Sequence, residues 1–167
     1  MRYLLLAIGT LVAIVVVVVA IGYALPVKHR GVAEAVVKAS PETLFALITN
    51  VDAFPVWRTG LKSAEVLPSA DGRRRFRETT SQGSISYVIE SLEPNRRLVT
   101  RIDDKSLPFG GTWTYELTPA AEGRTTLRIT EDGEVYNPVF RFVSRFFMGY
   151  DGTIKTYLAD VAKKTGT

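Results

Sequence analysis

From Tyr3 to Val27 the chain carries no charged residue, and Leu4 to Leu25 is almost wholly Leu, Ile, Val, Ala and Gly. At about 1.5 Å per residue, a helix over that run is roughly 30 Å long, the thickness of a hydrocarbon core. Its Val-rich centre is β-branched and a poor helix former in water, yet a lone span in lipid has no other way to pair its backbone. Residues 1–27 are therefore read as a transmembrane anchor and residues 28–167 as the folded domain. Gly22-Tyr23-Ala24 ahead of Leu25-Pro26 also offers the small residues of a signal cleavage site, but the run exceeds the roughly 7–15 residues of a signal core. Arg2 on one side faces Lys28 and Arg30 on the other, so the positive-inside rule nearly cancels. The reading is a single-pass membrane protein with its domain extracytoplasmic.

About 140 residues outside the anchor are enough for one domain with a real core. The sequence has no Cys, which excludes disulfides, thiolate nucleophiles and Cys-based metal centres. The one His, His29, adjoins the anchor, so the domain interior is expected to lack the usual general base and metal ligand. A net charge of +4 suits an anionic membrane surface, but acids and bases interleave without a basic block, which argues against nucleic acid. With no metal-ligand spacing and no phosphate-cradling glycine loop, neither a metal nor a cofactor is expected.

Gly31 to Lys38 reads as a strand. Ser40-Pro41-Glu42-Thr43 then supplies an N-cap, a first-turn proline and an acid, ahead of Leu44, Phe45, Leu47 and Ile48 at helical spacing. Asp52 to Trp57 reads as a second, very short helical turn limited by Pro55. From Leu61 to Gly133 the apolar period becomes two, broken by turn residues at 68–72, 81–83, 93–95, 108–111 and 120–123, which predicts six antiparallel strands. Asn137-Pro138 opens a long amphipathic helix carrying Phe146, Phe147, Tyr150, Ile154, Tyr157, Leu158 and Val161, with Gly149 and Gly152 as candidate kink positions. The order is α+β, with a curved sheet burying one face against the final helix.

The order of elements, with Ala39-Ser40-Pro41-Glu42-Thr43-Leu44-Phe45, Phe54-Pro55-Val56-Trp57 and Leu92-Glu93-Pro94-Asn95-Arg96-Arg97-Leu98-Val99, resembles the START-like superfamily. Within it the chain is most similar to the polyketide cyclase/dehydrase and lipid-transport group, SRPBCC, over about residues 31–164. The resemblance implies a helix-grip fold, a seven-stranded antiparallel sheet around a long C-terminal helix, with a deep apolar cavity between them. It also implies a hydrophobic small-molecule ligand. The anchor is an addition to that pattern and brings membrane lipids in as partners.

Strand alternation turns Phe76 and Glu78, Tyr87, Thr100, Trp113 and Tyr115, and Glu131 toward the helix. With Trp57, Phe147 and Tyr150 these are the candidate pocket residues. The competing reading is that the aromatics simply fill a solid core. Glu78 and Glu131 are the carboxylates that acid–base chemistry without His would need, or else strand-end groups, with Glu78 paired to an Arg. No catalytic residue is assigned.

Leu107, Pro108 and Phe109, two apolar side chains flanking a proline in a glycine-rich turn, read either as a gate over the cavity or as a buried loop. Phe140, Phe142, Phe146, Phe147 and Met148 make the start of the last helix apolar on several faces, which suits either core packing or a membrane interface. Arg73, Arg75, Arg77, Arg97, Arg101 and Arg128 fall on the outer face with Glu90 and Glu116, as cross-strand pairs or as a surface for anionic lipid. The leading expectation is a membrane-anchored binding or carrier domain for a lipid, isoprenoid or polyketide-like molecule. The alternatives are a cyclase/dehydratase-type enzyme acting on a bound carbonyl compound, and a protein-interaction module with a collapsed cavity.

Overall fold

The computed structural model describes residues 1–167, with the side chains of all but Ala70 and Met148. Helix α1 runs Arg2–Ala24 and strand β1 Lys28–Val37; α2 (Pro41–Thr49), a 3-10 turn (Val51–Ala53) and α3 (Phe54–Trp57) follow. Strands β2 (Leu61–Ala70), β3 (Arg73–Thr80), β4 (Ser84–Glu93), β5 (Arg97–Ile102), β6 (Phe109–Pro119) and β7 (Thr125–Val135) come next. The chain ends in α4 (Pro138–Val143), a π-helical turn (Ser144–Met148) and α5 (Gly152–Thr165). The strands form one seven-stranded antiparallel sheet in the order β1-β7-β6-β5-β4-β3-β2, the α+β helix-grip architecture expected from the sequence.

Local chemistry sets the boundaries. The Ser40 hydroxyl accepts from the Thr43 N–H at 3.3 Å, and Asn137 Oδ1 accepts from the N–H groups of Val139 and Phe140, so both proline-started helices are capped. Each cap stabilises its helix by about 1 kcal/mol. Val37, Leu44, Leu127, Ile129, Ile154 and Val161 are wholly buried in one apolar cluster between sheet and helices. Full burial of such a side chain contributes about 1.5–3 kcal/mol.

Two expectations are corrected. The first strand starts at Lys28 rather than Gly31, because His29 and Arg30 pair with Gly133 and Asp132 of β7. The C-terminal helix is not continuous: Gly149 takes the left-handed φ of 72°, which closes the π turn and breaks the helix before α5. The outer-face arginines do pair, Arg75 with Asp103, Arg77 with Glu65, Arg101 with Glu90 and Arg128 with Glu34. Arg75 and Arg101 also lie across the ladder on either side of Val88, which is buried although it faces outward.

Candidate functional site

The interior void lies between the sheet and the short helices, and its volume is about 20 Å³. That is room for about one water molecule. Among the described residues, Phe54, Trp57, Phe76, Tyr115 and Tyr157 pack into one buried cluster where the resemblance implies a deep cavity. The void's lining includes Phe76, Glu78, Thr100 and Tyr115 from the expected set, together with Arg58 and Tyr157. A second recess, about 600 Å³, is a surface groove bordered by Glu42, Glu93, Arg96, Arg97 and Glu116. Charges of both signs on an open groove suit water rather than an apolar ligand.

Arg58 is the central polar group of the void. It follows the last residue of α3 in an extended conformation, and its Nη1 donates to Glu78 Oε1 on β3. The guanidinium lies 5.0 Å from the Tyr157 ring centre and 5.3 Å from that of Phe54. Burial opposes its charge, but Glu78 more than offsets this and holds Arg58 protonated. Next to it, Thr59 donates to the buried Asp160 of α5 from its backbone N–H and from its hydroxyl, both at 2.7 Å. That clamp ties the α3–β2 turn to the helix and fixes where Arg58 points.

Around this pair the expected aromatics form a continuous wall. Phe76 stacks on Tyr87 at 5.0 Å, Trp57 meets Tyr157 edge-on at 5.5 Å, and Tyr157 also contacts Trp113 and Tyr115. Burial pushes the phenols of Tyr87, Tyr115 and Tyr157 above their ordinary range, so all three stay neutral donors. The Trp57 indole N–H is buried and has no hydrogen-bond partner among the described residues.

Glu131 belongs to a different cluster. It lies across the ladder from Trp113, and its Oε1 is 3.7 Å from Nε2 of His29. Burial pushes this carboxyl up to about 7, with the Trp113 side chain opposing the rise, while burial pulls the His29 imidazole down. His29 is therefore not peripheral, as its place in the sequence implied. It stacks on Tyr150 at 4.1 Å and lies over Gly133, where a Cβ would strike its ring. Gly31 opens the matching space for the Tyr150 carbonyl.

The remaining candidates lie elsewhere. Phe147 is exposed, and Phe109 is the first residue of β6, paired with Val135. The Pro108 carbonyl accepts from the Tyr136 N–H at 2.9 Å, which pins one end of the loop carrying Leu107. None of Leu107, Pro108 and Phe109 lines the void. Sequence reasoning missed Arg58, Asp160 and His29 as site residues. For Asp160 there was a signal, since an acid sits on the face defined by Ile154, Tyr157, Leu158 and Val161.

The family model described as polyketide cyclase / dehydrase and lipid transport matches residues 28–163. The chain belongs to that family. No curated protein matches it by sequence. Among solved structures, the polyketide cyclase/dehydrase domain is similar to a START superfamily protein from Mycobacterium smegmatis, at 19% identity and a TM-score of 0.61, over 82% of this chain and 99% of that one. It is also similar to the Zhui aromatase/cyclase from Streptomyces sp. R1128, at 11% identity and 0.65, over 83% and 94%. Norcoclaurine synthase from Thalictrum flavum, in complex with dopamine and hydroxybenzaldehyde, matches at 11% identity and 0.63, over 83% and 86%. At these identities the likeness shows the fold. The family as a whole is one of hydrophobic-ligand binders and polyketide cyclases.

Proposed function

We propose that this is a membrane-anchored binding or carrier domain for a hydrophobic small molecule with one polar, hydrogen-bond-accepting group. The observation that carries it is the unpartnered Trp57 indole N–H, packed edge-on against Phe54 and Tyr157, two of the rings that border the void. A buried donor left unpaired costs about 1–3 kcal/mol, and a ligand oxygen would satisfy it. The adjacent Arg58–Glu78 pair supports the same reading, because a buried ion pair is seldom better for stability than an apolar pair of similar volume. A polar centre set in an aromatic wall is how pockets orient otherwise apolar ligands.

A void of about 20 Å³ admits no lipid at rest, so loading requires the aromatic wall and the short helices to part. The anchor reading draws on α1, a helix long and apolar enough to cross a membrane. It draws also on the fit of Gly22 against Pro138, which a cleaved leader would not need. A cyclase/dehydratase-type activity is the second reading, favoured by Glu131, whose carboxyl titrates near neutrality beside His29. Native mass spectrometry of the full chain released from its own membrane tests the proposal. A stoichiometric hydrophobic adduct that is lost in R58M/E78L supports it; an empty chain that also binds nothing across a panel of lipids and isoprenoids leaves a protein-interaction module with a collapsed cavity.

A further inference from the structure

Helix α4 does not stand clear of α1. Gly22 is buried, and a Cβ there would overlap the backbone carbonyl of Pro138, the first residue of α4. Arg141, one turn further on, is buried too; its Nη1 donates to the Leu25 carbonyl at 2.9 Å and its Nη2 to the Tyr136 carbonyl at 3.1 Å. Among residues 2–25, the buried or half-buried positions are Val18, Val19, Gly22 and Leu25, which share one helix face. The domain is therefore seated, through α4, against the last two turns of the helix that is apolar enough to span a bilayer.

The helical rise fixes the depth of that contact. Residues Arg2–Ala24 make a helix about 35 Å long against a hydrocarbon core of about 30 Å. With α1 across the bilayer, Gly22 lies at the boundary of headgroups and hydrocarbon, and α4 lies there with it. This is where the exposed phenylalanines of the domain occur: Phe140, Phe146 and Phe147 are 52%, 57% and 77% exposed. Phe142 gathers the latter two at 4.9 and 6.1 Å, and Arg145 is exposed between them. Core packing, one of the two readings of this apolar stretch, is thus not what these rings do. Aromatic rings mixed with arginine at that level match the composition of membrane interfaces.

We infer that residues 138–148 form an interfacial element that inserts its phenylalanines into the bilayer crossed by α1. The inference rests on the anchoring proposed above and extends it. The domain is then docked on the lipid as well as tethered to it, and the helix break at residues 149–151 is held at the lipid surface. A hydrophobic molecule leaving the bilayer would meet the domain there, where Tyr150 and His29 stack at the end of the sheet.

The chain contains no Cys, so a single introduced thiol can carry a fluorophore without background. The full chain is reconstituted in phosphatidylcholine vesicles containing phosphatidylglycerol, as F147C and as V66C, the latter on β2 at the far edge of the sheet. The F147C probe is expected to be quenched by lipid-borne nitroxide at a depth of about 5–10 Å and shielded from aqueous iodide, with the V66C probe behaving oppositely. Iodide quenching of both probes, while α1 still resists alkaline extraction, would overturn the inference and leave the anchor intact. Shielding of the F147C probe from both quenchers would also overturn it, by showing a protein contact such as a second copy. Release of the chain by alkaline extraction would overturn the anchoring, and this inference with it.

Discussion

Replacing Glu131 by Gln keeps the shape of the side chain and removes its titration. In the folded chain the carboxyl titrates at about 7 instead of the ordinary 4.5, because burial disfavours its charge. A raised acid binds its proton more tightly when folded, so its contribution to stability is fully present below about pH 4.5 and is lost as the pH rises through about 7. At about 1.4 kcal/mol per pH unit, the interval bounds the loss at about 3 kcal/mol. The side chain is 22% exposed, and water relieves part of the penalty. About 1–2 kcal/mol is the expected effect.

His29 works in the opposite sense. Its imidazole is pulled below 6.5, so its contribution is present at higher pH and is lost as the pH falls through its folded value. Denaturant titrations of both chains in micelles, followed by circular dichroism between about pH 5 and about pH 8, separate the two contributions. That window lies above the titration of the lowered carboxylates Glu42, Asp104 and Asp151. The wild type should lose stability across the window, whereas E131Q should hold level or gain. A variant that keeps the wild-type slope would refute the assignment of that slope to Glu131.

Three further outcomes follow from the same geometry. R58M should cost about 3–5 kcal/mol in an unfolding titration, because Glu78 is left buried and unpaired, whereas R58M/E78L should recover most of that loss; a double variant as unstable as the single one would contradict this. G31A should cost about 1–3 kcal/mol, since a Cβ would collide with the Tyr150 backbone carbonyl; unchanged melting would show that the 149–151 break is free to move. D160A removes both acceptors of Thr59 and should cost about 1–3 kcal/mol, with faster hydrogen exchange at the Thr59 amide as the specific readout.

The fold was legible because its signals are local. Ser40-Pro41 starts α2, the period-two runs between turns set β2 to β7, and Asn137-Pro138 starts α4 where expected. The break at Gly149 was visible as a glycine in a helical pattern, but not as a π turn, since glycine only permits the left-handed φ and tertiary packing selects it. The inner face of the sheet followed from alternation, which is why Phe76, Glu78, Thr100 and Tyr115 do border the void. Alternation cannot give volume, so it left open whether aromatics such as Trp57 and Trp113 line a pocket or fill a solid core, and the packing of both against Tyr157 decides for filling. Nor could separation along the chain reveal His29 beside Glu131: the pair exists because β1 begins three residues earlier than its apolar pattern and lies antiparallel to β7.

The central claim is that a ligand's polar group completes the interior at Trp57. The sequence has two tryptophans, so an isotope-labelled chain gives two indole N–H signals, assigned by W113F. On adding lipid extract from the protein's own membrane, the Trp57 signal should move downfield as its N–H gains an acceptor, and the shift should saturate. A Trp57 signal that stays in place while every extract fraction is titrated to saturation of the micelles would contradict the account.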